Sequence, residues 1–228
     1  MRTIAILPVK SFAAAKQRLA EELQAELRHA LARAMLADVL RALRGSSRID
    51  ELAVVSADPV AKVLAREQEA RVLHDDAQAG QSPAADVGIR HALAAGFERA
   101  LLVPGDTPLL DAGELDELLA GSGAVAIVPD RHGAGTNALV LAPPDAIEPS
   151  FGPGSFERHL AAAERAALGH SVERVPTLML DVDTPEDLAR LEAVLERLPG
   201  ERAPATRQAL GRLERARASA PHAAPASV

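Results

Sequence analysis

Three positively charged side chains follow the first apolar run of the sequence within nine residues. They are Lys10, Lys16 and Arg18, and the run before them, residues 3–9, is typical of a buried strand. Lysine supplies a point charge and arginine a two-pronged donor, so the set would suit a triphosphate. The glycines and the Gly-Lys-Ser/Thr ending of a Walker A loop are missing. A solvated basic turn at the start of a helix is the alternative, and the spacing alone leaves both open.

Three aspartates follow two other apolar runs in a similar way. Asp106 comes after residues 100–103 in a turn that contains proline and glycine, and Asp181 and Asp183 come after residues 178–180. Alternation along an extended segment places Asp181 and Asp183 on the same side, where both could face one ion. Magnesium takes a few carboxylates together with waters and substrate phosphates. The pattern indicates a magnesium site, while a capping role at the helices that follow is the alternative for Asp106 and Asp183.

Small-residue loops supply a second kind of candidate, because their backbone amides can approach an anion or a base. Gly80 and Ser82 lie in a loop that leads into a helix, and Thr136 follows a glycine-rich turn. Gly152 and Ser155 belong to a further loop that opens a helix, where amides and a hydroxyl can form an anion site. Each loop taken alone is equally typical of a plain turn, with Ser155 as a helix N-cap.

The composition restricts the classes of protein that can carry these residues. The chain has 228 residues, of which 48% are hydrophobic and 25% charged, and its net charge is −7; this balance fits a globular fold and argues against a nucleic-acid-binding surface. The absence of cysteine excludes disulfides, thiolate catalysis and cysteine-bound metals. No apolar run approaches the roughly 18 residues of a membrane span, and the first apolar run is too short for a secretion signal. We therefore expect a cytoplasmic protein without nucleic-acid or membrane partners.

Short β-rich runs alternate with helical patterns over most of the sequence. The expected strands cover residues 3–9, 52–56, 71–73, 100–103, 124–128, 138–141 and 178–180. The expected helices cover residues 23–43, 59–67, 83–95, 112–119, 155–167 and 185–197. Asp58 and Thr184 precede proline as helix caps. Alternation of this kind predicts an α/β fold with a mainly parallel sheet over residues 1–198. Residues 199–228 form an Ala/Arg/Pro-rich tail, expected to hold a weak helix at 205–218 or to be disordered.

The candidate motifs occur in an order that resembles one known family. They are Ile6-Leu7-Pro8-Val9-Lys10 with Ala15-Lys16-Gln17-Arg18-Leu19, Pro104-Gly105-Asp106-Thr107-Pro108, Gly133-Ala134-Gly135-Thr136-Asn137, Phe151-Gly152-Pro153-Gly154-Ser155-Phe156 and Asp181-Val182-Asp183-Thr184-Pro185. Together they resemble the CofC/FbiD family, the 2-phospho-L-lactate or phosphoenolpyruvate guanylyltransferases of coenzyme F(420) biosynthesis. No motif is decisive alone, but five in register over residues 1–198 make the set specific.

The resemblance implies a fold and a reaction. The fold would be a nucleotide-diphospho-sugar-transferase-like (Rossmann-like) three-layer α/β fold with a central mixed, mainly parallel sheet. The reaction would join GMP from GTP to a phosphorylated three-carbon acid, with magnesium as cofactor and pyrophosphate as the second product. Phosphoenolpyruvate is the expected acid, and 2-phospho-L-lactate and a phosphoglycerate are the alternatives. The oligomeric state stays open, with a homodimer as one arrangement.

The resemblance also implies roles for individual residues. The GTP phosphates would be held by Lys10, Lys16 and Arg18, which with Asp106 form the expected catalytic set. Magnesium would be bound by Asp106, Asp181 and Asp183. The carboxylate and phosphate of the acid would be held by Thr136, Gly152 and Ser155. The nucleotide would also contact Gly80 and Ser82, in a loop that has Ser82 or Pro83 where many relatives are expected to have asparagine.

Two other functions are compatible with the sequence. A related nucleotidyltransferase acting on a sugar phosphate or a pterin would share the glycine loops and the aspartates, but it does not explain residues 151–156. A non-catalytic nucleotide-binding domain of the same fold would have less need of Asp181 and Asp183 beyond an apolar run. The sequence therefore favours the guanylyltransferase over both.

Overall fold

The computed structural model describes residues 1–12 and 16–219, the last four of them by their backbone alone, and the predicted disordered end falls on residues 220–228, outside these ranges. The strands in the described ranges are β1 (Thr3–Pro8), β2 (Glu51–Val55), β3 (Arg71–Leu73), β4 (Arg99–Leu102), β5 (Val125–Pro129), β6 (Thr136–Leu141) and β7 (His170–Val172). They form one sheet in the order β3-β2-β1-β4-β6-β5-β7.

The sheet is mixed and mainly parallel, which confirms the predicted fold class. Strand β1 lies inside the sheet and pairs in parallel with β2 and β4, while β3 pairs in parallel with β2, and β7 with β5. Only β6 runs antiparallel to its neighbours, β4 and β5, among the pairings of the described strands. All six residues of β1 are buried. This explains its continuous apolar sequence, because a strand covered on both faces has no solvent side.

Helices cover both faces of the sheet. They are α1 (Ala25–Arg44), α2 (Pro59–Glu67), α3 (Gln81–Ala94), α4 (Ala112–Gly121), α5 (Ser155–Arg165), α6 (Pro185–Arg197) and α7 (Pro204–Ser219). On one face, Val39 of α1, Leu64 of α2 and Leu115 of α4 belong to one buried cluster. On the other face, Ile89 of α3 and Ala163 of α5 belong to a second. None of the helices in the described ranges has the length and apolar character needed to cross a bilayer.

The structure corrects one predicted strand and adds another. Residues 178–180 form turns rather than a strand, because Leu178 N donates to Val175 O (2.9 Å) and Met179 N donates to Pro176 O (3.4 Å). The two leucines of this run are buried in different clusters, so its apolar character reflects burial rather than sheet pairing. The added strand is β7, whose sequence His-Ser-Val is too short and too polar for a pattern to reveal it.

The sequence after residue 198 carries helix α7, which packs against α1. The Asp38 carboxylate on α1 accepts hydrogen bonds from Ala205 N (3.2 Å) and Thr206 N (2.7 Å), in the first turn of α7. Leu210 and Leu213 are buried in a cluster that α1 and α6 also line. An acceptor at the helix N-terminus and two buried leucines help to hold an otherwise alanine- and arginine-rich helix against α1.

Helix α3 approaches β1 so closely that only glycine fits at their contact. A Cβ added at Gly88 would lie 2.3 Å from Ile6 Cγ2, and Ile6 is fully buried. We expect Gly88→Ala to lower the free energy of unfolding by about 2 kcal/mol, because a packed core resists an added methyl group. Thermal unfolding measures this effect. Gly121→Ala is the control, since a Cβ there has no neighbour within 4 Å, and equal midpoints for the two variants would contradict the prediction.

Candidate active site

A cavity of about 330 Å³ lies at the carboxyl ends of β1 and β4, the edge at which ligands bind in parallel α/β sheets. Five of the predicted site residues line it: Lys10, Lys16, Asp106, Asp181 and Asp183. They come from three distant segments of the chain, after β1, after β4 and before α6. The fold therefore brings together the groups that the sequence suggests for phosphate and for metal.

Lys16 is the electrostatic centre of the cavity. Its ammonium donates to Asp106 Oδ2 and, at 2.9 Å, to Asp183 Oδ1, and only 6% of its side chain is exposed. Burial alone would lower the pKa of Lys16, but the nearby carboxylates, Asp106 before Asp183, raise it above its usual range. Its φ of 54° lies in the left-handed region, which residues with a side chain adopt only rarely. The cavity therefore contains a permanent positive charge.

Asp181 lies deeper in the cavity and is oriented by an amide that the sequence analysis does not select. Asn137 Nδ2 donates to Asp181 Oδ1 (3.0 Å) and to Leu178 O (2.9 Å). Burial and the charge of Asp106 raise the pKa of Asp181 above its usual range, although the Asn137 hydrogen bond opposes this. Asn137 also lines the cavity. Its place directly after Thr136 is the signal from which it could have been found.

The three aspartates provide the donor type that magnesium prefers. Asp106 Oδ1 is buried and has no hydrogen-bond partner among the described residues, and the like charges around Asp181 favour an added cation. Within residues 1–12 and 16–219, however, no three acidic or histidine side chains are gathered closely enough to hold a metal ion together. The Lys16 ammonium joins Asp106 to Asp183. The three carboxylates are thus of the ligand type that magnesium prefers. In this structure the Lys16 ammonium neutralises two of them, Asp106 and Asp183.

A β-bulge in β6 decides where two neighbouring polar side chains point. In the pairing with β5, Val128 lies opposite Ala138 and Pro129 opposite Thr136, so Asn137 is the extra residue. A bulge shifts the alternation of side chains by one position. Bulges are common beside active sites because they re-aim a side chain in this way.

The consequence is that Thr136 and Asn137 serve different parts of the molecule. Regular alternation would place Thr136 on the face of Ala138, which packs in the cluster beneath α1. Instead the Thr136 hydroxyl lies 3.0 Å from His159 Nδ1 on α5, at the opposite face of the sheet. Asn137 contacts Asp181. Thr136 therefore lies next to the cavity along the chain but does not itself line it.

The predicted acid-binding loop lies at the start of α5. Ser155 is the first residue of α5 and is 1% exposed, and its backbone N–H donates to Gly152 O (3.0 Å). The helix N-cap is Gly154 rather than Ser155, so the alternative capping role for Ser155 is wrong. Gly152 has a φ of 104°, a conformation that glycine adopts readily. Phe156 N donates to Ala134 O (3.3 Å), so the N–H groups of both Ser155 and Phe156 have backbone partners in this structure.

A second cavity, of about 180 Å³, adjoins the first and shares Pro8, Val9, Lys10 and Gln81 with it. Gly80 lines this second cavity. Gln81 therefore lies where the two cavities meet, at the start of α3. The sequence analysis does not select it, because one glutamine at a helix start carries no distinctive pattern.

Ser82 and Arg18 lie elsewhere than at the walls of these two cavities. Ser82 Oγ accepts a hydrogen bond from Phe151 N (2.8 Å), so it links the loop before α3 to the loop before α5. Arg18 is exposed in a single 3₁₀ turn, Gln17–Leu19. The structure therefore brings Lys10 and Lys16 to the cavity without Arg18.

Helix capping in this region is done by other residues than the cavity aspartates. Asp111 Oδ1 caps α4 by accepting from Gly113 N (2.9 Å) and Glu114 N (3.0 Å), and Thr184 caps α6 with Asp187 in a capping box. The capping alternative for Asp106 and Asp183 is thereby wrong. The predicted caps at Asp58 and Thr184 are confirmed.

Asp58 also anchors the basic segment. Besides capping α2, it accepts from Phe12 N through Oδ2 at 2.9 Å. One buried carboxylate therefore joins the start of α2 to the loop that follows β1 and leads from Lys10 towards Lys16.

Comparison with known proteins identifies the family of this chain. Residues 3–196 match a family model described as guanylyl transferase CofC like. A phosphoenolpyruvate guanylyltransferase of Conexibacter woesei is 48% identical over 199 residues, covering 86% of this chain and 89% of the relative. A phosphoenolpyruvate guanylyltransferase of Sphaerobacter thermophilus is 41% identical and covers 84% of this chain and 93% of the relative. A 2-phospho-L-lactate guanylyltransferase of Methanothermobacter thermautotrophicus is 34% identical, with 84% of each chain covered.

Solved structures agree on the fold. A protein from Desulfovibrio desulfuricans described as a nucleotide-diphospho-sugar transferase superposes with a TM-score of 0.74 at 17% identity, covering 94% of this chain and 96% of that one. At this identity the likeness concerns the fold alone, and it confirms the predicted architecture. The family model and the sequence relatives show the family as well as the fold, since each matches most of the chain. This chain belongs to the family of CofC-like guanylyl transferases.

Proposed function

We propose that this protein transfers GMP from GTP to phosphoenolpyruvate, releases pyrophosphate and thereby serves coenzyme F(420) biosynthesis. The observation that carries the proposal is the cavity in which Lys10 and Lys16 face Asp106, Asp181 and Asp183. The relatives named phosphoenolpyruvate guanylyltransferase support this acid, and the relative named for 2-phospho-L-lactate supports the second candidate.

The reaction needs positioning and charge neutralisation rather than a protein nucleophile. A phosphate oxygen of the acid attacks the α-phosphorus of GTP, the bond to the bridging oxygen of the β-phosphate breaks, and pyrophosphate leaves with that electron pair. Lys10 and Lys16 would bind and neutralise the triphosphate from one side of the cavity. Arg18, in the exposed turn Gln17–Leu19, would contact the triphosphate from outside the cavity wall. Such electrostatic preorganisation is the main source of catalysis in phosphoryl-type transfers.

The magnesium ion would be held by Asp106, Asp181 and Asp183. When bound, it supplies positive charge that reduces the repulsion between the two anionic reactants. Other side chains of the protein position these carboxylates and balance their charge. Asn137 orients Asp181, and Lys16 neutralises Asp106 and Asp183.

The acid would bind at Thr136, Gly152 and Ser155, beside the first cavity, and the nucleotide would extend from Lys10 towards Gly80 in the second. Ser82 would act between them, since its hydroxyl joins the loop of the nucleotide to the loop of the acid. The two adjoining cavities support a site for two substrates. A cytoplasmic location and a homodimer stay predictions.

The experiment is a substrate panel with GTP and magnesium. Phosphoenolpyruvate, 2-phospho-L-lactate, 3-phosphoglycerate and a sugar phosphate are each tested by pyrophosphate release and by the mass of the product. We expect release with phosphoenolpyruvate and a product whose mass is that of the acid joined to GMP. Release with the sugar phosphate alone would favour the related nucleotidyltransferase. Nucleotide binding without turnover on any acid would favour the non-catalytic domain.

A further inference from the structure

His159 on α5 is fully buried and has two polar partners of different kinds. Its Nε2 lies 2.8 Å from the backbone nitrogen of Ser150, and its Nδ1 lies 3.0 Å from Thr136 Oγ1. From the sequence alone, a histidine one turn into this helix is expected to be a helix-surface residue or to assist in binding an anion. The structure instead places it behind Thr136, on the side away from the first cavity.

These two contacts determine which ring nitrogen carries the proton. A backbone N–H can only donate, so Nε2 accepts from Ser150 and is unprotonated. The single proton of a neutral ring is then on Nδ1, which donates to the Thr136 hydroxyl oxygen. Burial, with a smaller effect of the Arg158 charge, lowers the pKa of His159 to about 4, which keeps the ring neutral.

The Thr136 hydroxyl is therefore left with a proton to donate. Its oxygen accepts from His159, and within residues 1–12 and 16–219 it has no other hydrogen-bond partner. We infer that His159 is a positioning residue: it fixes the Thr136 hydroxyl as a hydrogen-bond donor towards the carboxylate or phosphate of the acid substrate. The inference rests on the proposed function, because it needs the acid beside Thr136.

The same turn of α5 also holds the loop that faces the acid. Arg158 donates to Ser150 O (2.8 Å) and to Pro153 O, and the Phe151 ring meets the His159 ring edge-on with centroids 5.3 Å apart. A purely structural role for His159 would therefore act through Ser150 and this loop. The proposed role acts through Thr136. The two roles depend on different nitrogens of the ring, so they can be separated.

Two amide variants separate the nitrogens. In His159→Asn the new side-chain amide lies near the former Nδ1 and can still donate to Thr136, whereas in His159→Gln it lies near the former Nε2 and can still accept from Ser150. We expect His159→Gln to raise KM for phosphoenolpyruvate about tenfold, with KM for GTP and kcat within about twofold of wild type. We expect His159→Asn to raise KM for the acid less than His159→Gln does. The opposite order would overturn the inference, because it would assign the effect to the Ser150 contact.

A double-mutant cycle tests the link to Thr136. If His159 acts through that hydroxyl, adding His159→Gln to Thr136→Val changes KM for the acid by no more than about twofold. Independent, multiplying effects of the two substitutions would overturn the inference.

A third measurement does not depend on variants that fold. The ¹⁵N shifts of the wild-type histidine ring should report a protonated Nδ1 and an unprotonated Nε2 at neutral pH, and the reverse tautomer would also overturn the inference. Failure of the proposed function is distinguishable, since the wild-type protein would then release no pyrophosphate with any acid.

Discussion

Asp106→Asn is expected to lower kcat by about three orders of magnitude and to leave the fold intact. Asparagine preserves the shape of the side chain but removes its charge. Lys16 then loses one of its two carboxylate partners, and the predicted magnesium site loses the donor whose Oδ1 is buried without a partner in the described chain. Stability should change little, because 26% of the Asp106 side chain is exposed and the backbone of the turn keeps its bond from Val182 N to Asp106 O.

The measurement is pyrophosphate release over a magnesium titration, together with a thermal midpoint. Asp145→Asn is the matched control, since Asp145 is an exposed aspartate away from the cavity walls. A wild-type rate for Asp106→Asn at limiting magnesium would contradict the metal role of Asp106. A collapse of the midpoint would instead assign the residue to folding.

Lys16→Met is expected to lower kcat/KM for GTP by about two to three orders of magnitude. Methionine fills a similar volume without the charge, so Asp106 and Asp183 are left facing one another and the triphosphate loses a cation. The pKa of Asp181 is already raised by burial and by the charge of Asp106, so removal of the ammonium adds repulsion in a site that must accept more negative charge. The effect should therefore exceed that of a surface lysine by a wide margin.

Lys62→Met provides that comparison, because Lys62 is the remaining lysine of the chain and lies on α2 outside both cavities. We expect Lys62→Met to retain the wild-type rate. Magnesium dependence adds a second readout: if Lys16 neutralises the carboxylates, Lys16→Met should bind magnesium or manganese at least as tightly as wild type while turning over slowly. Retention of more than about half the wild-type kcat/KM by Lys16→Met would remove Lys16 from the triphosphate site.

Most strands and helices of this protein can be predicted from the local sequence. Continuous apolar runs identify six of the seven strands in the described ranges, and the Asp58-Pro59 and Thr184-Pro185 pairs mark the starts of two helices. These signals are readable because burial of both strand faces and capping of helix termini depend on neighbours in the chain. The exception at residues 178–180 has the same basis, since an apolar run reports burial and a turn can be as buried as a strand.

Only part of the candidate site can be predicted from the sequence. The rule that ligands gather at the carboxyl ends of parallel strands selects Lys10, Lys16 and Asp106 correctly for the first cavity. It misses Asn137 and Gln81, because an amide without a distinctive pattern acquires its place from the strand order and from a bulge. The roles of Arg18 and Ser82 stay predictions, since the side chains of these two residues do not line the cavities.

The residue types, the alternation of strands and helices, and the family to which their order belongs can all be read from the amino-acid order. The pairing of Lys16 with Asp106, 90 residues away, and with Asp183, 167 residues away, arises only in the folded chain. The same holds for the β6 bulge, which turns Thr136 towards His159 and Asn137 towards Asp181. Local preferences set each element, whereas contacts between distant side chains depend on how those elements pack and register against one another.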